Sequence, residues 1–219
     1  MKNNLYGSYK EEQVVQDEEV NNSEEVYYAD DLEKKHLYKE IEFAVDVEDS
    51  IVYIVGEIED FGLYDFMVRC RSIIKNREED DDSPINVVID SVGGDVYEMF
   101  GIIDYIESLE RNSNIKVNTI CRGKAMSAAA MILACGTGKR LASKRSTIMI
   151  HEGSSMQAGK SSDLKAAHKY NAHLEDMANS ILGDKTIKDK KFWSEQTKTD
   201  LYLSAKDAQK LGVIDGIIH

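Results

Sequence analysis

Three runs of aliphatic and β-branched residues set most of what this chain can fold into: "SIVYIVG", "INVVID" and "IKVNTIC". The first is a continuous run ending at Gly56, as a strand buried on both faces requires, and the second reads the same way. Between them, "LYDFMVRCRSIIKN" places Leu63, Phe66, Met67, Cys70 and Ile73 on one face of a helix. "REEDDDSP" is a solvated turn of like charges that ends at the chain's one proline, Pro84. After the second run, "SVGGDVYEMFGIIDYIESLERN" turns on two glycines and then takes a helical period. "SAAAMILACG" follows the third as a short helix, and "KRLASKRSTIMIH" holds two short strands around "RLA" and "TIMIH". "SSDLKAAHKYNAHLEDMANSILG" predicts a long amphipathic helix with Ala167, Tyr170, Leu174, Met177 and Ile181 on its apolar face, stopped at Gly183. "SAKDAQKLGVIDGII" closes the chain as a helix and a strand. Strands alternating with helices predict an α/β fold on a parallel sheet with right-handed crossovers. Sites on such sheets gather where strands end and helices begin. Chemistry is therefore expected in the loops after "INVVID", "IKVNTIC" and "TIMI".

Charge narrows the partners. The 219 residues carry a formal net charge of −13, which argues against a nucleic-acid ligand, since phosphate binding needs clustered Lys and Arg. The first 35 residues hold ten acidic side chains against four lysines and show no hydrophobic period, so residues 1–35 read as an acidic mobile arm or leader. Tyr6, Tyr9, Tyr27 and Tyr28 leave a docking role open for it. Cys70, Cys121 and Cys135 are an odd number, lack metal-ligand spacing and sit among apolar neighbours, as reduced core thiols do. No secretory signal opens the chain, and the longest apolar run, 128–135, falls far short of the roughly 20 residues of a membrane span. The expectation is a soluble, cytoplasmic protein without a membrane partner.

Three positions could carry chemistry. "DSVGGDV" opens a helix with paired glycines whose N–H groups can face a bound oxygen, though such a pair more often serves turn formation alone. It lacks the Lys-Ser/Thr of a phosphate loop. Ser127 stands at a helix start, where it either caps the helix or is held to react beside unpaired amides. His151 follows an apolar strand and reads either as a base or as a core histidine bonded to a carbonyl. Neighbouring strand-end loops would bring a nucleophile, a base and amide donors together. A carboxylate must still orient the imidazole, and spacing leaves Asp90, Asp95, Asp184, Asp189 and Asp200 all open.

"SVGGDV", "GKAMSAAAMILACGTGKRLASKRSTIMIHEG" and "TDLYLSAKDAQKLGVID" together resemble the proteolytic subunits of the Clp proteases (ClpP, the caseinolytic peptidase family), over about residues 50–219. The resemblance implies a crotonase-like ClpP fold of repeated ββα or βαβ units in residues 36–219, with a protruding handle strand and helix over about 152–183. By matched motif positions, Ser127 resembles the nucleophile, His151 the general base and Asp200 the carboxylate. Backbone N–H groups of Gly93, Gly94 and Ala128 match the oxyanion hole, and Asp95, Val96, Ser154 and Ser155 the peptide-binding positions. The implied activity is serine endopeptidase cleavage of peptides or unfolded proteins, with no metal or organic cofactor. The implied assembly is a homo-oligomer of heptameric rings, possibly stacked in pairs, fed by an AAA+ ATPase unfoldase. A catalytically inactive ring scaffold of the same fold is the alternative. The sequence departs from the family at Val92, usually proline, and at Asn86 and Val88, commonly aromatic docking positions. Lys198 and Thr199 stand where the family often has an acidic residue and an arginine.

Overall fold

The computed structural model describes residues 37, 40–78, 81–153 and 158–219. The expected acidic arm at 1–35 and the positions Ser154 and Ser155 lie outside them. Eight strands form one sheet. In chain order, β1 (Val45–Asp46) and β2 (Ile51–Ile58) precede helix α1 (Gly62–Lys75), β3 (Ile85–Gly94), α2 (Val96–Ser113), β4 (Val117–Met126) and α3 (Ala128–Ala134). They are followed by β5 (Arg140–Ser143), β6 (Thr147–Ile150), α4 (Ser161–Lys185), α5 (Lys190–Gln196), β7 (Leu201–Ser204), α6 (Ala205–Leu211) and β8 (Gly216–Ile218). The mixed α/β architecture is the one expected.

The main path runs β1-β2-β3-β4-β5-β8, and the strands from β2 onward along it are parallel. Strand β4 forks the sheet. Its first half pairs with β5 at Thr119–Cys121, and its second half leaves that partner and pairs with β6 at Lys124–Met126. Two antiparallel pairings, β1 with β2 and β6 with β7, depart from the all-parallel expectation. The strands also outrun their apolar motifs. β3 continues through the glycine pair to Gly94 and β4 to Met126, so the groups expected on loops are strand ends.

Helix α2 buries Met99, Ile102, Ile103, Ile106 and Leu109 at helical spacing against the sheet. All seven residues of α3 are buried. Its alanines let it lie close to β3 and β4, against which it packs. Helix α4 corrects the expected face. Leu174 and Leu182 are buried, whereas Tyr170 and Met177 remain 51% and 38% exposed. The chain covers only part of the apolar stripe, and the covered side is set by Leu174, Ala178 and Leu182 over the cleft described below. Gly183 does not stop α4. A Cβ there would meet the backbone of Lys190 at 2.8 Å, so this glycine permits the close approach of α5.

The three cysteines are free and fully buried. Burial pushes the thiols of Cys70 and Cys135 up to about 12 and raises that of Cys121. Thiolate is the reactive form, so the native protein should take up no iodoacetamide at pH 8 and three equivalents once unfolded, read by intact mass. A rapidly alkylated thiol in the folded state would contradict this burial.

Candidate active site

Ser127 sits at the elbow where β4 gives way to α3. Its N–H donates to the Met149 carbonyl at 2.8 Å, continuing the β4–β6 ladder by one step. The backbone then turns sharply, with φ 52° and ψ −124°. A left-handed φ on a residue with a Cβ costs about 1–2 kcal/mol, and such strain is found where function holds it. The side chain makes no capping hydrogen bond to α3. Its Oγ lies instead 2.8 Å from His151 Nε2, a distance within the normal hydrogen-bond range.

His151 immediately follows β6, and the antiparallel register supplies its second contact. Ile150 pairs with Leu201, so the next step places His151 opposite Asp200. His151 Nδ1 and Asp200 Oδ1 are 3.5 Å apart, with the side chains 23% and 54% exposed. That separation is an electrostatic contact, longer than a good hydrogen bond. A proton on Nδ1, facing the carboxylate, leaves Nε2 as the acceptor for the Ser127 hydroxyl. The other carboxylates left open by spacing are engaged differently or lie outside this contact. Asp90 pairs with Lys124 at 2.9 Å, Asp95 caps α2, and Asp189 caps α5.

The loop carrying Asp200 is anchored by groups that carry no sequence motif. Glu152 N–H donates to the Thr197 carbonyl at 2.7 Å, tying the residue after His151 to the end of α5. The Thr197 hydroxyl donates to the Trp193 carbonyl, and the indole of fully buried Trp193 donates to Thr186 Oγ1, each at 2.8 Å. Helix α5 was not anticipated. Its only sequence signal is an Asp189 N-cap ahead of the apolar pair Phe192 and Trp193.

The glycine turn meets the elbow directly. A Cβ on Gly93, where φ is +93°, would lie 2.5 Å from the Met126 carbonyl oxygen and 2.9 Å from the Ala128 nitrogen. The Gly93 amide, expected as an oxyanion donor, is already committed, donating to buried Ser91 Oγ at 3.0 Å. Gly94 and Ala128 remain, and both line the cleft beside Ser127. As the first helical amide of α3, Ala128 N–H has no acceptor within its own helix. The Asp95 carboxylate has a structural task as well. It accepts from Tyr97 and Glu98 N–H at 2.7 and 3.0 Å, so it holds the start of α2 while lining the cleft beside Val96. Gly93→Ala should cost about 2–4 kcal/mol, because backbone must shift to admit the methyl group, and should displace Ser127. A lowered Tm together with lost labelling of Ser127 by a fluorophosphonate would show it; a wild-type Tm would contradict the packing.

Among the described residues, no group of three or more His, Cys, Asp or Glu is arranged to hold a metal ion, and no helix is long and apolar enough to cross a membrane.

The sequence also resembles known proteins. A family model described as Clp protease matches residues 37–219. The chain is 35% identical over 141 residues to ATP-dependent Clp protease proteolytic subunit 1 of Prochlorococcus marinus, covering 64% of this chain and 70% of that protein. It is 31% identical over 173 residues to proteolytic subunit 3 of Frankia casuarinae, covering 78% of both chains. Proteolytic subunit 2 of the same organism matches at 31% over 173 residues, 78% of this chain and 76% of that one.

Proposed function

The chain belongs to the Clp protease family, and from that premise we propose that it is a serine endopeptidase subunit acting through Ser127, His151 and Asp200. The observation that carries the reading is the 2.8 Å contact between Ser127 Oγ and His151 Nε2, made by a serine held in a strained elbow. Ser127 Oγ attacks the peptide carbonyl carbon as its proton passes to His151 Nε2. Asp200 orients the ring and stabilises the imidazolium that forms. The negative charge on the carbonyl oxygen is met by the Gly94 and Ala128 amides; one such donor is worth about 2.7–4 kcal/mol in enzymes of this type. His151 then protonates the leaving amine as the C–N bond breaks. Water, deprotonated by the same nitrogen, hydrolyses the acyl-enzyme and restores the serine.

The subunit works in a homo-oligomeric ring chamber of the heptameric kind, supplied with unfolded polypeptide by an AAA+ ATPase. Its relatives bear the name ATP-dependent, and the exposed Tyr170 and Met177 of α4 offer apolar surface for assembly. The three unpaired thiols suit a reducing, cytoplasmic compartment. Residues 1–35, acidic by composition, precede the peptidase domain in sequence as an arm or leader. The test is fluorophosphonate labelling of the purified protein with mass mapping of the adduct, alongside hydrolysis of a fluorogenic peptide and the native mass of the particle. An adduct on Ser127 and turnover by a particle of many subunits are expected. An unlabelled Ser127 with no turnover would overturn the reading.

A further inference from the structure

Two hollows meet at His151. The one beside Ser127 has an apolar floor that includes Met99, Met131 and Leu174. The other opens past His151 toward Asp200 and Lys198. Glu152 and Glu175 line both. Together the walls carry four carboxylates, on Asp95, Glu152, Glu175 and Asp200, against one lysine, Lys198. Asp95 is occupied in capping α2, and Asp200 faces His151. Glu152 and Glu175 have no such employment: among the described residues, neither carboxylate forms a salt bridge or side-chain hydrogen bond. They repel each other across the cleft. Burial, and then the Glu152 charge, push the Glu175 carboxyl above the usual range, with His168 pulling the other way.

We infer that Glu152 and Glu175 select a lysine or arginine side chain on the acyl side of the bond to be cleaved. The inference rests on the peptidase reading above. A lysine or arginine has a flexible aliphatic stem with a cationic end, and such side chains lay the stem on apolar surface while the charge reaches polar groups. The apolar floor beside Ser127 and the two carboxylates further along the same cleft match that division. A bound cation also relieves the Glu152–Glu175 repulsion, which a neutral side chain leaves in place. An acidic side chain adds a third like charge and is disfavoured.

Three fluorogenic peptides differing only in the residue before the coumarin amide separate charge from shape: lysine, norleucine and glutamate. The wild-type protein should show kcat/KM about tenfold higher for lysine than for norleucine at low salt, as two part-exposed carboxylates acting on one cation would give. Glutamate should be the poorest. The preference should shrink as salt is raised. In Glu152→Gln/Glu175→Gln the lysine-to-norleucine ratio should fall to within about twofold of one. Norleucine equal to or better than lysine in the wild type, or a ratio unmoved by the double variant, would overturn the inference. Anisotropy of the same peptides, fluorescein-labelled, on Ser127→Ala reads the charge preference without turnover, and equal affinity for lysine and norleucine would also overturn it. Failure of the peptidase reading looks different: no peptide is hydrolysed and Ser127 takes no fluorophosphonate.

Discussion

Ser127→Ala is expected to lower peptide turnover by about a million-fold, the loss typical when a catalytic serine that works as a unit with its histidine is removed. It should also abolish fluorophosphonate labelling. The fold should survive, because alanine keeps the Cβ and loses only an oxygen whose contact is His151 Nε2. Ser127→Gly makes the complementary point. The φ of 52° is costly for any residue with a Cβ and free for glycine. The glycine variant should therefore be inactive yet more stable than the alanine variant by about 1 kcal/mol, read as a higher Tm. Inactivity with raised stability would mean that the native serine is held against its own backbone preference by β4, β6 and α3. Retained turnover in Ser127→Ala would remove this hydroxyl from the mechanism.

What could be read from the sequence followed from how strongly each element is enclosed. Strands β2 and β3 could be read from their β-branched runs, although the expected burial on both faces does not hold. Only alternate residues (Val52 and Ile54; Ile85, Val87 and Ile89) are buried, and the other face is half-buried or, at Val55, exposed. Helix α2 shows the five-residue apolar stripe of a helix on a sheet. The four-residue β7 and seven-residue α5 are too short to display a period and were not anticipated. Their omission matters, because β7 carries the register that sets Asp200 opposite His151 across 49 positions of chain. Ser127 and His151 could be singled out from their places at a helix start and a strand end. Asp200 could not be chosen among five carboxylates until its resemblance to a family motif was considered. Spacing says nothing of which glycine amide is free, since that depends on a buried serine rotamer that commits Gly93. The face of α4 misled for a related reason: Tyr170 and Met177 belong to an apolar stripe that this chain does not itself cover.

Asp200→Asn should reduce kcat by about 10³- to 10⁴-fold with little change in KM. Asparagine keeps the size of the side chain but can turn an N–H toward His151 Nδ1. The ring would then carry its proton on Nε2, where it cannot accept the proton of Ser127. The imidazolium formed during attack would also lose its counter-charge. Two features pull the expected loss below that of Ser127→Ala: the 3.5 Å separation and the half-exposed carboxylate, whose field water partly screens. The loop should stay in place, because the Thr197 carbonyl still accepts from Glu152 N–H and Thr197 remains bonded to Trp193. The measurement is kcat and KM together with Tm and the second-order rate of fluorophosphonate labelling. A merely structural aspartate would lower Tm and leave kcat per folded site unchanged. An orienting carboxylate does the reverse, and slows serine labelling in step with turnover, since both reactions draw on the same proton transfer from Ser127 to His151.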